Sequence, residues 1–431
     1  MTQNTMTIHS TATKKFLFIS FFAILITIFV ISFLLNQKPT KNLDELLFVE
    51  EVPRFDIKTN NNDNYKKREY TNATFSLNGI DFSGKIKARG SSSYSAAKDY
   101  NAPYPYRLKL NKKYNLLGLG EADSFILLPN FIDPSGIRQF FHYNLAYFVF
   151  DDWSPRTKYV ELYIDDKYSG LYLLAETIEK SDNKIKYKNE FGFIVEMDIQ
   201  GKLEETTEPF VSEKSFAIDY QIEKSEQLKN ITFELKNPKS FSETNQKQKQ
   251  YILDETTNLY ENQKNVDINS FVNYFMLNEI YENNGIGLGS VFYWNDGEKM
   301  HAGPFWDADR ITSSHEATGF IKDNYDVKNP VYEQLLENAE FKQKYKNSFE
   351  IFYNNTYPKI QENLNKLKNN STLKSAWEKN ENLYHRLSRK DIIDDFISNK
   401  EIESRKTFES QIDYIIDFYN KRINWLHDNL K

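Results

Sequence analysis

The 431-residue chain contains no cysteine, which excludes thiol catalysis, Cys-ligated iron–sulfur clusters and disulfides. That absence does not fix a compartment, because a cysteine-free chain is tolerated on either side of a membrane. The six histidines (His9, His142, His301, His315, His385 and His427) form neither an HExxH motif nor a close pair, which argues against a zinc hydrolase. Twelve prolines and 15 glycines are too few for a collagen-like or repetitive chain. Positive charge is not in excess either: the formal net charge is −6, with no general pull toward nucleic acid. No internal repeat is present. What the chain has in quantity is aromatic side chains, 33 Phe and 28 Tyr, enough to build a sizeable core.

Residues 16–35 form an apolar run interrupted only by Ser20, Thr27 and Ser32, about as long as a bilayer core is thick. No small-residue cleavage site follows it, and Lys14 and Lys15 precede it, so it is expected to be an uncleaved signal anchor. Lys38 and Lys41 on the far side nearly balance those charges. The short tail, residues 1–15, carries no other charged side chain and is expected to stay inside. The chain beyond a linker at 36–44 is then extracytoplasmic.

From about residue 45 to 200 the pattern is mostly β. Between Phe82 and Arg89, Ile86 and Ala88 share one side while Lys85, Lys87 and Arg89 share the other. Tyr106, Leu108 and Leu110 likewise oppose Arg107 and Lys109. Paired, these strands present one basic face, overhung by the Gly90-Ser91-Ser92-Ser93 loop, whose small residues let amides and hydroxyls approach an anion. The alternative is a solvated sheet face. A helix is expected over Pro134–Phe150 with Asp133 as N-cap, and a partly irregular insertion over about 202–255. A buried helix follows at Asp267–Glu282, then a hairpin through Asn295-Asp296-Gly297. The remainder is helical, with a break at Pro358. Strands followed by helices predict an α+β fold.

The return strand of that hairpin runs into Gly303-Pro304-Phe305-Trp306-Asp307-Ala308-Asp309. Carboxylates at i and i+2 on a strand project to one side and can hold a hard cation such as Mg²⁺. The alternative is a polar turn whose aspartates cap backbone amides.

Taken in order, several segments resemble CotH-type kinases, the spore-coat kinase family. They are Arg89-Gly90-Ser91-Ser92, Tyr106-Arg107-Leu108-Lys109-Leu110, Leu117-Gly118-Leu119 and Leu127-Leu128-Pro129-Asn130 with Asp133 and Arg138. Val160 to Ile164, Gly170-Leu171-Tyr172, Glu176, Glu196 and Asp198 continue the series, followed by the Trp306-Asp307-Ala308-Asp309 signature and Arg422 to Leu426. The resemblance covers about residues 45–430. It implies an atypical protein-kinase-like, two-lobed fold holding ATP and Mg²⁺, and phosphorylation of Ser on a secreted or surface protein. It places Arg89, Gly90, Ser91 and Arg107 near the phosphates and Lys109 on a phosphate oxygen. Glu176 is implied to orient that cation through an ion pair. Asp307 and Asp309 hold the metal, with Ser290 as auxiliary ligand. Asp309, Lys109 and Glu176 are the catalytic set.

One position departs from the family pattern. Counting back from Ser290, the usual catalytic Asp falls on Gly285, which cannot accept a proton or orient a hydroxyl. Glu282 takes the role if the register slips. Two other classes remain: a pseudokinase-like module that binds nucleotide or another polyanion without efficient transfer, and a carboxylate-based glycan hydrolase using Glu196, Asp198, Asp307 and Asp309.

Overall fold

The computed structural model describes residues 41–59, 69–90, 92–129, 131–198, 211–224, 227–283, 285–286, 289–307, 317–323, 328–389 and 405–430. The expected membrane segment at 16–35 lies outside them; among the described residues no helix is long and apolar enough to cross a membrane.

After a short helix α1 (Leu43–Leu47), seven strands close into a barrel: β1 (Arg54–Thr59), β2 (Thr71–Leu77), β3 (Ile80–Ala88), β4 (Tyr106–Asn115), β5 (Glu121–Pro129), β6 (Thr157–Ile164) and β7 (Lys167–Glu176). Their order is β1-β2-β3-β4-β5-β7-β6, sealed by parallel pairing of β6 with β1. Alternation works as the sequence requires. Phe55, Phe75, Ile86, Leu108, Phe125 and Leu174 are among the residues that fill the interior. The outward residues of β5, β6 and β7, such as Ile126, Tyr159 and Leu173, pack instead into the main core of the helical part.

Two helices sit between barrel strands: α2 (Ser92–Asp99) and α3 (Arg138–Val149). The second was expected from Pro134. It starts four residues later because Asp133 spends its carboxylate on a tight turn. The carboxylate accepts from Ser135 N at 3.0 Å and Arg138 N at 2.8 Å, and Arg138 Nη1 meets it at 2.6 Å with both side chains buried.

A second sheet of five strands follows, in the order β12-β11-β8-β10-β9. Its members are β8 (Phe193–Asp198), β9 (Ser215–Lys224), β10 (Gln227–Asn237), β11 (Gly289–Asn295) and β12 (Met300–Ala302). The expected irregular insertion thus contains a regular hairpin, β9–β10, whose Phe216, Ile218, Phe233 and Leu235 enter the core. Charged outward residues masked that alternation in the sequence. The rest is helical: α4 (Gln246–Glu261), α5 (Ile268–Tyr281), α6 (Pro330–Glu337), α7 (Ala339–Ile351), α8 (Tyr357–Lys368), α9 (Ser371–Tyr384) and α10 (Phe408–Asn429). Asp267 caps α5 by accepting from Ser270 N at 3.0 Å. The break expected at Pro358 is instead a π-helical turn, Phe352–Thr356, that joins α7 to α8 without leaving the helix. The fold is α+β, with a β-rich amino-terminal part and a helical carboxy-terminal part.

Candidate functional site

The basic face forms as the alternation predicts. Strand β3 pairs with β4 so that Lys87 stands opposite Arg107 and Lys85 opposite Lys109, all pointing out of the barrel. Their destinations differ. Lys109 reaches Asp123 at 2.6 Å, with half its side chain in solvent. Arg107 Nε donates to Ser124 Oγ at 3.4 Å. Lys87 lies over the Tyr70 ring at 4.7 Å, and its amine is pulled below the ordinary lysine range by burial and by the nearby Arg107.

Arg89, one residue beyond β3, goes elsewhere. Its guanidinium lies over the Trp306 ring, 5.6 Å from the centroid. Burial lowers its affinity for a proton, opposed by Tyr143, Asp307 and Glu196 and reinforced by Arg107. The Arg89 backbone N–H donates to the Pro105 carbonyl at 2.9 Å, whereas the guanidinium makes no hydrogen bond to a described residue. Arg89, Ser93, Pro105, Leu128, Pro129, Gln139, Tyr143, Trp306 and Asp307 line one cavity. The two sequence regions singled out for phosphate and for metal therefore meet. Gly90 turns the chain there with φ +83°; a Cβ would come within 2.2 Å of Ser93 Oγ.

Asp307 is not placed by strand alternation. β12 ends at Ala302, and Asp307 has φ +65°, a left-handed conformation uncommon for a non-glycine residue. It is held from both sides of the chain: Phe305 N–H donates to Ser154 Oγ at 3.3 Å, and Asp307 N–H donates to Tyr143 Oη at 3.2 Å. The Trp306 ring packs edge-on against Tyr143 and against Phe292 of β11, at 5.4 and 6.3 Å. Ser290, with φ +56°, sits at a bulge where β11 slips against Met197 and Asp198 of β8, two residues before Phe292. Glu196, on the same ladder opposite Phe292, forms an ion pair with Lys236 of β10. Asp309 and Ser91 lie outside the described residues. Among the described residues no three His, Asp or Glu side chains gather into a metal cage.

Glu176 corrects an expectation. It pairs across the ladder with Phe125, so it belongs to the inward-facing set, on the opposite side of the sheet from Arg107 and Lys109. Its carboxylate accepts from Arg156 N and Nε, both at 2.9 Å, and from Nη2 at 3.2 Å. It orients neither Arg107 nor Lys109. Arg156 escaped the sequence reading because nothing in the run Ser154-Pro155-Arg156 marks a partner for a distant strand.

Beyond the cavity, the chain is pinned by a buried clamp. Arg422 of α10 donates to Glu279 Oε2 and to the Glu279 carbonyl, at 2.8 and 2.7 Å. The same carboxylate accepts from Ile321 N at 3.0 Å and Tyr332 Oη at 2.9 Å. Gly285 follows α5; among the described residues a Cβ there meets nothing nearer than Asn283 Oδ1 at 3.5 Å, an ordinary contact.

A sequence profile of the family described as CotH kinase protein matches residues 86–426, the bulk of the chain. No curated protein matches it.

Proposed function

The chain belongs to the CotH kinase protein family, and on that premise we propose that it transfers phosphate from ATP to a Ser or Thr of an extracytoplasmic protein. The supporting observation is the convergence of Arg89 with Trp306 and Asp307 around one cavity. A partly buried guanidinium without a hydrogen-bond acceptor fits an anion, and phosphate oxygens suit its planar donors. Lys87 and Arg107 extend the positive charge along the neighbouring ladder. Lys109 is the weaker candidate, since Asp123 already engages it.

Asp307 and Asp309 are the residues that would hold Mg²⁺, with Ser290 nearby in the sequence of β11. When bound, Mg²⁺ shares the charge of the phosphates and of the leaving oxygen. The chain's own contribution is positioning: Tyr143 and Ser154 fix the backbone that carries Asp307, and the Arg89 guanidinium lies over the Trp306 ring. The two-lobed kinase arrangement is part of the same proposal, with the barrel end, α3 and the loop after β12 lining the cavity.

Gly285 supports a second reading, a pseudokinase-like module that holds nucleotide without efficient transfer. Phosphoryl transfer through a loose transition state asks little of a base, so reduced turnover is the expectation. The apolar run at 16–35 supports a single-pass anchor with the following domain outside the cytoplasm; protease treatment of intact cells that leaves the domain uncut would overturn that placement.

The deciding measurement is Mg²⁺-dependent ATP binding together with phosphate incorporation by the full-length chain, with Asp307→Asn and Asp309→Asn alongside. Incorporation lost in both variants supports the kinase. Nucleotide binding without incorporation supports the module, and no nucleotide binding removes the kinase and leaves the module only as a holder of another polyanion.

A further inference from the structure

The cavity beside Arg89 has a wall that neither the basic face nor the Asp307 loop supplies. Gln139 stands in the first turn of α3, next to Arg138, whose side chain turns away into Asp133. Gln139 is only 6 % exposed, lines the cavity, and has no hydrogen-bond partner among the described residues. A carboxamide that lines a cavity without a protein partner can turn its donor and its acceptor to whatever occupies that cavity. Ser93, the first turn of α2, lines the same cavity and likewise makes no hydrogen bond to a described residue. Three polar groups from three elements thus converge without satisfying one another.

The cavity is small, about 50 Å³, several times what one water needs but too little for a base and sugar. Its polar lining suits a compact group carrying several acceptor oxygens. Arg89 sets the sign of that group as negative. Gln139 contributes a donor that does not cancel the Arg89 charge, which a glutamate at this position would do. Asp307 on the opposite wall disfavours a bare anion and favours one that shares its charge with a cation.

We infer that Gln139, with Arg89 and Ser93, forms a subsite for a single phosphoryl group, the Gln139 carboxamide donating to one of its oxygens. This rests on the nucleotide-binding reading above and adds a ligand-contacting residue on α3.

The test is isothermal titration of the full-length chain, in magnesium chloride, with ATP, adenosine and inorganic pyrophosphate, comparing wild type with Gln139→Leu and Gln139→Glu. Both variants are expected to weaken ATP and pyrophosphate about tenfold or more, the fold-change of a lost hydrogen bond to a charged group. Adenosine binding should not change. Gln139→Glu, nearly isosteric, should lose at least as much as Gln139→Leu, because its carboxylate repels the anion and competes for Arg89; it also carries the comparison if the leucine variant does not fold. Equal affinity in wild type and both variants overturns the subsite and leaves the kinase reading intact. Binding of pyrophosphate but not ATP, lost in the variants, upholds the subsite and removes the nucleotide reading. A wild type that binds neither probe overturns both.

Discussion

The Arg422 guanidinium and the Glu279 carboxylate meet at 2.8 Å with essentially no solvent exposure on either side. Burial raises the Glu279 carboxyl to about 7, with Arg422, the Ile321 N–H and Tyr332 opposing it. The clamp ties α10 and α5 to residues 319–321, the first described stretch after Asp307.

Arg422→Met should destabilise the protein by about 3–5 kcal/mol, because it leaves a buried carboxyl without its counter-charge. Adding Glu279→Gln should recover part of that loss, so the double variant is less destabilised than the two single changes summed. Denaturant unfolding measures it. The pH dependence has a definite sign. Glu279 binds its proton more tightly folded than unfolded, so its contribution falls as pH rises from about 4.5 to about 7. In Arg422→Met the decline should extend above pH 7. A variant with wild-type stability across that range would refute the clamp.

Asp296 predicts the opposite slope in acid. Burial pushes its carboxyl up, but Lys188 and the backbone N–H groups of Lys299 and Glu298 hold it down at about 2. Its contribution is present above about pH 4 and is lost as pH falls toward 2, an effect of about 2 kcal/mol. Asp296→Asn keeps an acceptor for the turn but not the charge facing Lys188, so the acid limb of its stability curve should flatten relative to wild type.

Arg89→Lys keeps the charge and loses the planar fork that lies over Trp306. Binding of ATP or pyrophosphate should fall about tenfold, with unfolding stability nearly unchanged. Unchanged affinity would mean that Arg89 acts only as a packing partner for the indole.

Gly285→Asp is sterically admitted, since a Cβ there makes only ordinary contact and the backbone is not left-handed. Stability should shift by no more than about 0.5 kcal/mol. Phosphate incorporation should rise if Gly285 occupies the position of the base. A folded, nucleotide-binding variant with no gain would place the register elsewhere, with Glu282 the next residue to change.

Strand alternation made the two basic strands legible, but not the barrel. The inward Ile86, Ala88, Tyr106, Leu108 and Leu110 and the outward Lys85, Lys87, Arg107 and Lys109 follow from period-two spacing, whereas the parallel β1–β6 closure has no local signal. The same rule, carried across the ladder to β7, also gives the inward placement of Glu176, but only once the β5–β7 register is known. Asp307 was read as a strand residue and is not one: its position depends on hydrogen bonds to Tyr143 and Ser154, long-range contacts without a local signature. Gln139 was hidden for a related reason. Beside Arg138 and ahead of His142 and Asn144 in the same helix, nothing local marks Gln139 out until the cavity it lines is seen.

The parallel β1–β6 contact leaves the seven-stranded barrel with no open margin. Among the described strands, backbone groups available for recruiting another polypeptide occur only at the two borders of the five-stranded sheet. Three-residue β12 is too short to template much, so ten-residue β9 is where self-association by strand addition would begin. Raising the protein concentration should slow deuterium uptake at β9 amides before any amide of the barrel.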